Sequence, residues 1–356
     1  MFEPLSDLLT FLVLIVIGLL VWGAFSPFEA LGWWAGWFGE RIHVEQFPPS
    51  EHVRVARPNA DSYILFLSGI GRVSGETFSL REQGFLQRLG SALPNSVIID
   101  DIFPYSVNNL PLTGQPFFAR LWRWALRRKL DGPHIAGNLI NIRNIWQVCI
   151  SADNRYGPIY NQAVAEVLLH SLLRYDYKVD RQRPIFIIGY SGAGQIAVGA
   201  VAYLHEHIQA PIYVISLGGI FSSEPGLLLA EHFYHIFGST DWACKLGWIA
   251  PGRWPIFPSS EWNRARRQGL ITLLEVGPMG HNGAGGYLDR NSFLPDGTSY
   301  VDHIVQLVAE IVHRHADSAT VDRVNINSDS AVETLSDQTL SEQTLPDQTL
   351  PEQMPS

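Results

Sequence analysis

The chain has 356 residues, of which 46% are hydrophobic and 11 are tryptophan, and its formal net charge is -9 at pH 7. Eight acidic residues against Arg323 alone lie beyond Ala316, so the remainder is close to neutral and offers no basic footprint for nucleic acid. Cys149 and Cys244 stand far apart, which excludes a disulfide framework and metal-type cysteine spacing; both read as buried free thiols.

In chain order, residues 8–25 form a run of 18 residues without a charge. As a helix rising ~1.5 Å per residue this run spans about 27 Å, enough for a thin bilayer core. A cleaved signal peptide would want a positive n-region and a small-x-small cleavage site. Here Glu3 and Asp7 lie at the front and Gly23-Ala24-Phe25-Ser26 at the back, so an uncleaved membrane anchor over 1–40 is expected. Trp22, Trp33, Trp34 and Trp37 suit an interfacial belt, with residues 28–38 along the membrane surface. No Lys or Arg precedes the run, whereas Arg41, Arg54 and Arg57 follow it, which places the bulk of the chain on the cytoplasmic side.

From 41 to 315 the pattern is that of one folded domain. Residues 42–44 and 52–55 read as a short strand pair, and 63–67 as a buried strand ending in Ser68-Gly69-Ile70-Gly71. A helix over 76–93 and a second buried strand over 96–100 follow. Between about 104 and 158 the alternation breaks, and this insertion is expected to be a helical cap. Within it Phe118, Leu121, Trp122 and Ala125 share one helical face, and Arg120, Arg123 and Arg127 the other. Such a helix suits a cap over the sheet, a membrane surface, or both. The alternation resumes with a helix over 160–177, a strand over 185–188, a helix after Ser191 and a strand over 212–217. Next come a helix near 225–233, a strand over 234–237, a Pro- and Trp-rich excursion over 242–262, a strand over 270–274 and a helix over 300–315. Strands alternating with helices argue for an α/β fold with a mostly parallel sheet and helices on both faces. Residues 316–356 include four acidic five-residue repeats without aromatics, a composition that cannot bury a core and reads as a disordered tail.

Around Ser191 an apolar run stops at a serine flanked by small residues, and a helical pattern starts at once: strand, tight turn, helix. A serine hydroxyl is a poor nucleophile without a base, and the base needs an orienting group. Ser191, Asp241 and His281 each fall just beyond an expected strand, and in a parallel sheet all such loops converge on one edge. Asp100, Asp101 and Glu224 are the other candidates for the acid. His205, His207, His235, His313 and His315 fall within expected helices or strands and read as structural or surface groups. No Walker or dinucleotide fingerprint and no zincin spacing appears, so no cofactor and no metal is expected.

Over about 63–315 the chain resembles the α/β-hydrolase superfamily, whose triad runs Ser, Asp, His and whose elbow reads G-x-S-x-G. The elbow here is Gly189-Tyr190-Ser191-Gly192-Ala193, with alanine in the last glycine's place, and Ser68 stands where the first loop usually has histidine. The resemblance implies Ser191 as nucleophile, His281 as base, Asp241 as its orienter, and the backbone N–H groups of Gly192 and Ile70 as oxyanion hole. Together with the anchor it implies a membrane-bound serine hydrolase acting on a lipid-like ester. The alternative class is a non-catalytic hydrolase-like scaffold that binds a lipid or a protein at the membrane. A His281 ring nitrogen within about 3.2 Å of the Ser191 hydroxyl favours the enzyme.

Overall fold

The computed structural model describes residues 3–37, 60–75, 78–112, 119–130 and 135–316. The strand pair expected at 42–55 and the tail beyond 316 lie outside the described residues. In chain order the elements are α1 (Glu3–Phe25), α2 (Phe28–Trp34), β1 (Ser62–Leu67), α3 (Leu80–Ala92), β2 (Ser96–Ile99), α4 (Ala119–Leu130), α5 (Ile135–Ala152), α6 (Gly157–Arg174), β3 (Ile185–Tyr190), α7 (Ala193–His207), β4 (Ile212–Leu217), α8 (Gly226–Leu229), β5 (His232–Phe237), α9 (Glu261–Arg267), β6 (Ile271–Glu275) and α10 (300–316).

The strands form one sheet in the order β2-β1-β3-β4-β5-β6, with every neighbouring pair parallel. β1, β3 and β4 are buried along their whole length, as a parallel sheet covered on both faces requires. Their side chains alternate between two cores. Leu65, Ile187 and Val214 pack with α5, α6, α7 and α9 on one face; Phe66, Ile188 and Ile215 pack with α3 and α10 on the other. The chain runs from β1 outward to β2, then crosses back to place β3 on the far side of β1. This reversal opens a crevice between the carboxyl ends of β1 and β3, the usual ligand position in open α/β sheets.

Three local expectations change. The helix expected near 225–233 shrinks to α8, because residues from Glu231 onward are drawn into the sheet: Glu231 N–H donates to Ile212 O at 2.8 Å and Phe233 N–H to Leu270 O at 2.9 Å. The excursion after β5 contains α9, capped by the Ser260 hydroxyl on Asn263 N–H, which the proline and tryptophan density obscured. The thiols are both free, but only Cys244 is buried; Cys149 is exposed on α5, so the expected buried pair is corrected.

The segment Leu9–Trp34 is long and apolar enough to cross a membrane, with mean hydropathy 2.5 and 6% of it buried. Its end is docked rather than loose. Ala30 and Gly32 of α2 are buried, and Glu29 pairs with Arg143 of α5. At Gly23 a Cβ would sit 2.7 Å from the Trp146 ring, so α1 packs closely on α5 there and a larger residue would have to push the ring aside. Residues 28–34 therefore lie against the domain instead of only along a surface; small residues supply the close approach, while Phe28, Trp34 and Trp37 stay exposed.

Candidate active site

The turn after β3 is the centre of the site. Ser191 adopts φ +58°, a left-handed conformation that costs a non-glycine residue energy and projects its side chain out of the turn. Backbone bonds hold it there: Ser191 N–H donates to Leu217 O at 3.0 Å, and its own carbonyl accepts from Gly194 at 3.0 Å and Ile220 at 3.2 Å. Gly189 lets the chain double back. A Cβ at that position would lie 2.8 Å from both Ala193 O and Gly194 Cα, inside backbone that has nowhere to move. Ala193, where the elbow motif has glycine, is fully buried in the core, so the extra methyl is packed. Gly189→Ala should destabilise the fold by about 1–3 kcal/mol through overpacking. Thermal unfolding of the detergent-solubilised full chain checks this, and an unchanged midpoint contradicts it.

Ser191 Oγ lies 2.7 Å from His281 Nε2, and His281 Nδ1 lies 2.9 Å from Asp241 Oδ2. All three residues expected from the sequence are thus brought together, within hydrogen-bond reach in the expected order. Asp241 is fully buried. Its Oδ1 accepts from the backbone N–H of Ala243 at 2.8 Å and of Cys244 at 3.3 Å; its Oδ2 also accepts from the Tyr287 hydroxyl at 2.6 Å. Burial pushes this carboxyl up, but the hydrogen bonds from His281 and Tyr287 outweigh it and hold Asp241 below the ordinary carboxylate range. A carboxylate has no proton to give, so His281 Nδ1 is the donor and Nε2 faces Ser191 as an acceptor. Burial and its bond to Asp241 push the Tyr287 phenol far up, so it stays a donor.

His281 hangs from a glycine-rich loop pinned at two points. Tyr190 donates to His281 O at 2.8 Å and stacks on its ring. Asp289 accepts from Gly285 N–H at 2.8 Å, from the Ser292 hydroxyl at 2.7 Å and from Asn291 N–H at 3.2 Å. The Gly285 N–H and then the Ser292 hydroxyl hold the Asp289 carboxyl below its usual value. A carboxyl depressed on folding contributes stability that is complete above the unperturbed aspartate value of about 3.9 and is lost as pH falls through the folded value. Acidification from about pH 5 to pH 3 should therefore lower the melting temperature of the wild type more than that of Asp289→Asn. Parallel losses in both would contradict this.

The loop carrying Ile70 runs close beside the turn carrying Ser191 and Gly192. Were Gly192 to carry a Cβ, it would lie 3.0 Å from the Ile70 side chain, and one on Gly69 would lie 3.5 Å from Ser191 Cβ. Neither the Ile70 nor the Gly192 amide has an acceptor among the described residues. Gly192 also caps α7, whose N-terminal end favours negative charge. The loop after β1 is clamped by groups the sequence did not single out. Buried Arg72 donates to Ser68 Oγ at 3.3 Å, Ile102 O at 3.2 Å and Asp100 O at 2.9 Å; burial lowers its pKa to about 10, so it keeps its charge at neutral pH. Asn144 of α5 donates to Ile70 O at 2.7 Å and Arg72 O at 2.8 Å, and Tyr105 donates to Ser68 O at 2.9 Å. The expected cap thus contributes α5 directly to the loop. In α4, Ala125 is buried while Arg120, Arg123 and Arg127 are exposed, as its amphipathic pattern requires.

Two of the other acid candidates are engaged elsewhere: Asp101 with Arg174 at 2.6 Å and Glu224 with Gln195 at 2.8 Å. His235 is buried against Ser216, and burial pushes it down to about 3, so it is a neutral core group. A cavity of about 410 Å³ opens onto the site, lined by Gly69, Ile70, Arg81, Glu82, Tyr190, Ser191, His281 and Leu288. A second groove of about 650 Å³ between α3 and α10 contains the Arg88–Asp302 pair and Ser91, whose hydroxyl donates to Gln87 O at 3.0 Å. Among the described residues no three His, Cys, Asp or Glu side chains converge as a metal would need. No protein-family model matches the chain, and no curated protein matches it.

Proposed function

We propose that the protein is a membrane-anchored serine hydrolase of the α/β-hydrolase superfamily that cleaves a lipid-like ester through an acyl-enzyme. The observation that carries this reading is the Ser191–His281–Asp241 relay, at 2.7 and 2.9 Å, on a left-handed serine at the sheet's topological switch point. Ser191 Oγ attacks the ester carbonyl carbon while its proton passes to His281 Nε2. Asp241 stabilises the imidazolium from Nδ1, and the N–H groups of Ile70 and Gly192 receive the oxyanion, a contribution of roughly 3 kcal/mol for each such donor. Collapse of the intermediate expels the alcohol, which takes the proton from His281. Water then attacks the acyl-enzyme with His281 as base, releasing the acid and restoring Ser191. An apolar N-terminal helix docked on α5, beside the oxyanion loop, supports a substrate that partitions into membranes, with the hydrolase domain on the cytoplasmic side as Arg41, Arg54 and Arg57 suggest.

Covalent labelling tests the reading. A fluorophosphonate should modify the full-length protein once, with the adduct located on the Ser191 peptide by mass spectrometry. No adduct, or an adduct on another residue, overturns it.

A further inference from the structure

The segment that follows Asp241 is built inside out. Buried Arg253 fills its interior, stacking over Phe221 at 4.4 Å and Trp262 at 4.3 Å, while half-buried Asn263 of α9 ties down its backbone, donating to Trp254 O at 2.8 Å and Phe257 O at 3.0 Å. Trp254 Nε1–H donates to Trp248 O at 2.7 Å. Its large apolar side chains instead point outward. Trp242 is 69% exposed, Ile249 72% and Ile256 71%, with Trp248, Trp254 and Phe257 exposed beside them. A hydrogen-bonded loop that displays two isoleucines, a phenylalanine and three tryptophans to solvent is an interaction surface, since apolar side chains rarely gather in water without a partner.

Charge and position say which partner. Residues 242–267 carry Lys245, Arg253, Arg264, Arg266 and Arg267 against Glu261 alone, a basic stretch in a chain of net charge -9. Of these cations only Arg253 is buried; the other four are exposed, Lys245 within the apolar stretch and three arginines on α9 next to it, where Arg267 donates to Pro258 O at 2.8 Å. Aromatic and aliphatic residues flanked by exposed cations match the boundary between acyl chains and anionic headgroups. The segment leaves from the carboxyl end of β5, the sheet edge where α5 lies against the loop after β1. α1, which is apolar enough to span a bilayer, reaches the domain at α5 through the Gly23–Trp146 contact. The anchor and the apolar loop therefore belong to the same edge of the sheet.

We propose that residues 242–257, flanked by the α9 arginines, are a docking surface for an anionic lipid bilayer, a second attachment beside α1 that turns the carboxyl edge of the sheet toward the membrane. It goes beyond the hydrolase reading and holds whether or not Ser191 is a nucleophile. The test uses the full chain with Cys149→Ser and an added Ile249→Cys or Ile256→Cys, labelled with the fluorophore NBD; the Cys149→Ser parent, which keeps the buried Cys244, gives the background to subtract. Val179→Cys, before β3 at the opposite edge, is the control. The protein is placed in phosphatidylcholine–phosphatidylglycerol nanodiscs containing nitroxide lipid. Quenching at 249 and 256 should be several-fold stronger than at 179, and weaker in pure phosphatidylcholine discs. Quenching no stronger than at 179 overturns docking. So does shielding of the labels from aqueous iodide without lipid quenching, the result if a second copy or another protein covers the patch. Equal quenching in the two kinds of disc overturns the anionic requirement. Fluorophosphonate labelling of the same samples reports on Ser191 separately.

Discussion

Ser191→Ala should abolish fluorophosphonate labelling and lower ester turnover by roughly 10⁴-fold or more, leaving whatever rate binding and the oxyanion hole sustain. The expectation rests on chemistry that only this side chain supplies: no other hydroxyl lies within hydrogen-bond distance of His281 among the described residues. The substitution removes one hydrogen bond and leaves the backbone bonds of the turn in place, so the fold should survive it. Unchanged melting with lost turnover separates the loss of a nucleophile from the loss of the protein. Turnover that persists in Ser191→Ala would leave the relay as a structural hydrogen-bond chain and favour the non-catalytic scaffold.

Asp241→Asn should be nearly as damaging, by roughly 10³–10⁴-fold in turnover, and for a reason that can be read from the hydrogen bonds. Oδ1 of Asp241 accepts from two backbone N–H groups, those of Ala243 and Cys244. In the asparagine the amide oxygen must take that position, since an NH₂ there would face two donors. The NH₂ is then turned toward His281 Nδ1, which becomes an acceptor, and the ring proton moves to Nε2. His281 can no longer take the proton of Ser191. Tyr287, which now donates to Oδ2 at 2.6 Å, loses its acceptor as well, so a modest drop in melting temperature should accompany the kinetic effect. Kinetics on a soluble short-chain ester, with melting measured in parallel, check the prediction. Turnover within a few-fold of wild type would mean that another carboxylate orients His281, although Asp101 and Glu224 are held elsewhere by Arg174 and Gln195.

Much of the site was legible because its chemistry is local. Strand, turn and helix around Ser191 are written in a continuous apolar run, a cluster of small residues and a helical pattern, and Asp241 and His281 each follow a strand. The supports of the site were not legible. Asn144, Tyr105, Arg72 and Tyr287 carry no local signal, because each acts on a partner distant in the chain: Asn144 on Ile70 O, Tyr105 on Ser68 O, Arg72 on Ile102 O and Tyr287 on Asp241. α9 was hidden for another reason. Prolines and tryptophans before it suggest irregular chain, and its helix is only seven residues long, so periodicity has little to act on.

By itself the sequence determined the local elements: the apolar helix that begins the chain, the α/β alternation, the serine at a strand end, and the acid and imidazole that follow in order. These depend on side-chain pattern over a few residues and survive folding for the most part, although pairing in the sheet cut the helix expected near 225–233 down to α8. Tertiary structure alone decided the rest. It set the strand order that opens a crevice between β1 and β3, the 2.7 and 2.9 Å separations that join three distant residues, and the docking of α2 on the domain. It also turned the apolar side chains of 242–257 outward, because Arg253 claims the loop's interior and Asn263 holds its backbone. In the sequence those tryptophans and isoleucines are indistinguishable from core.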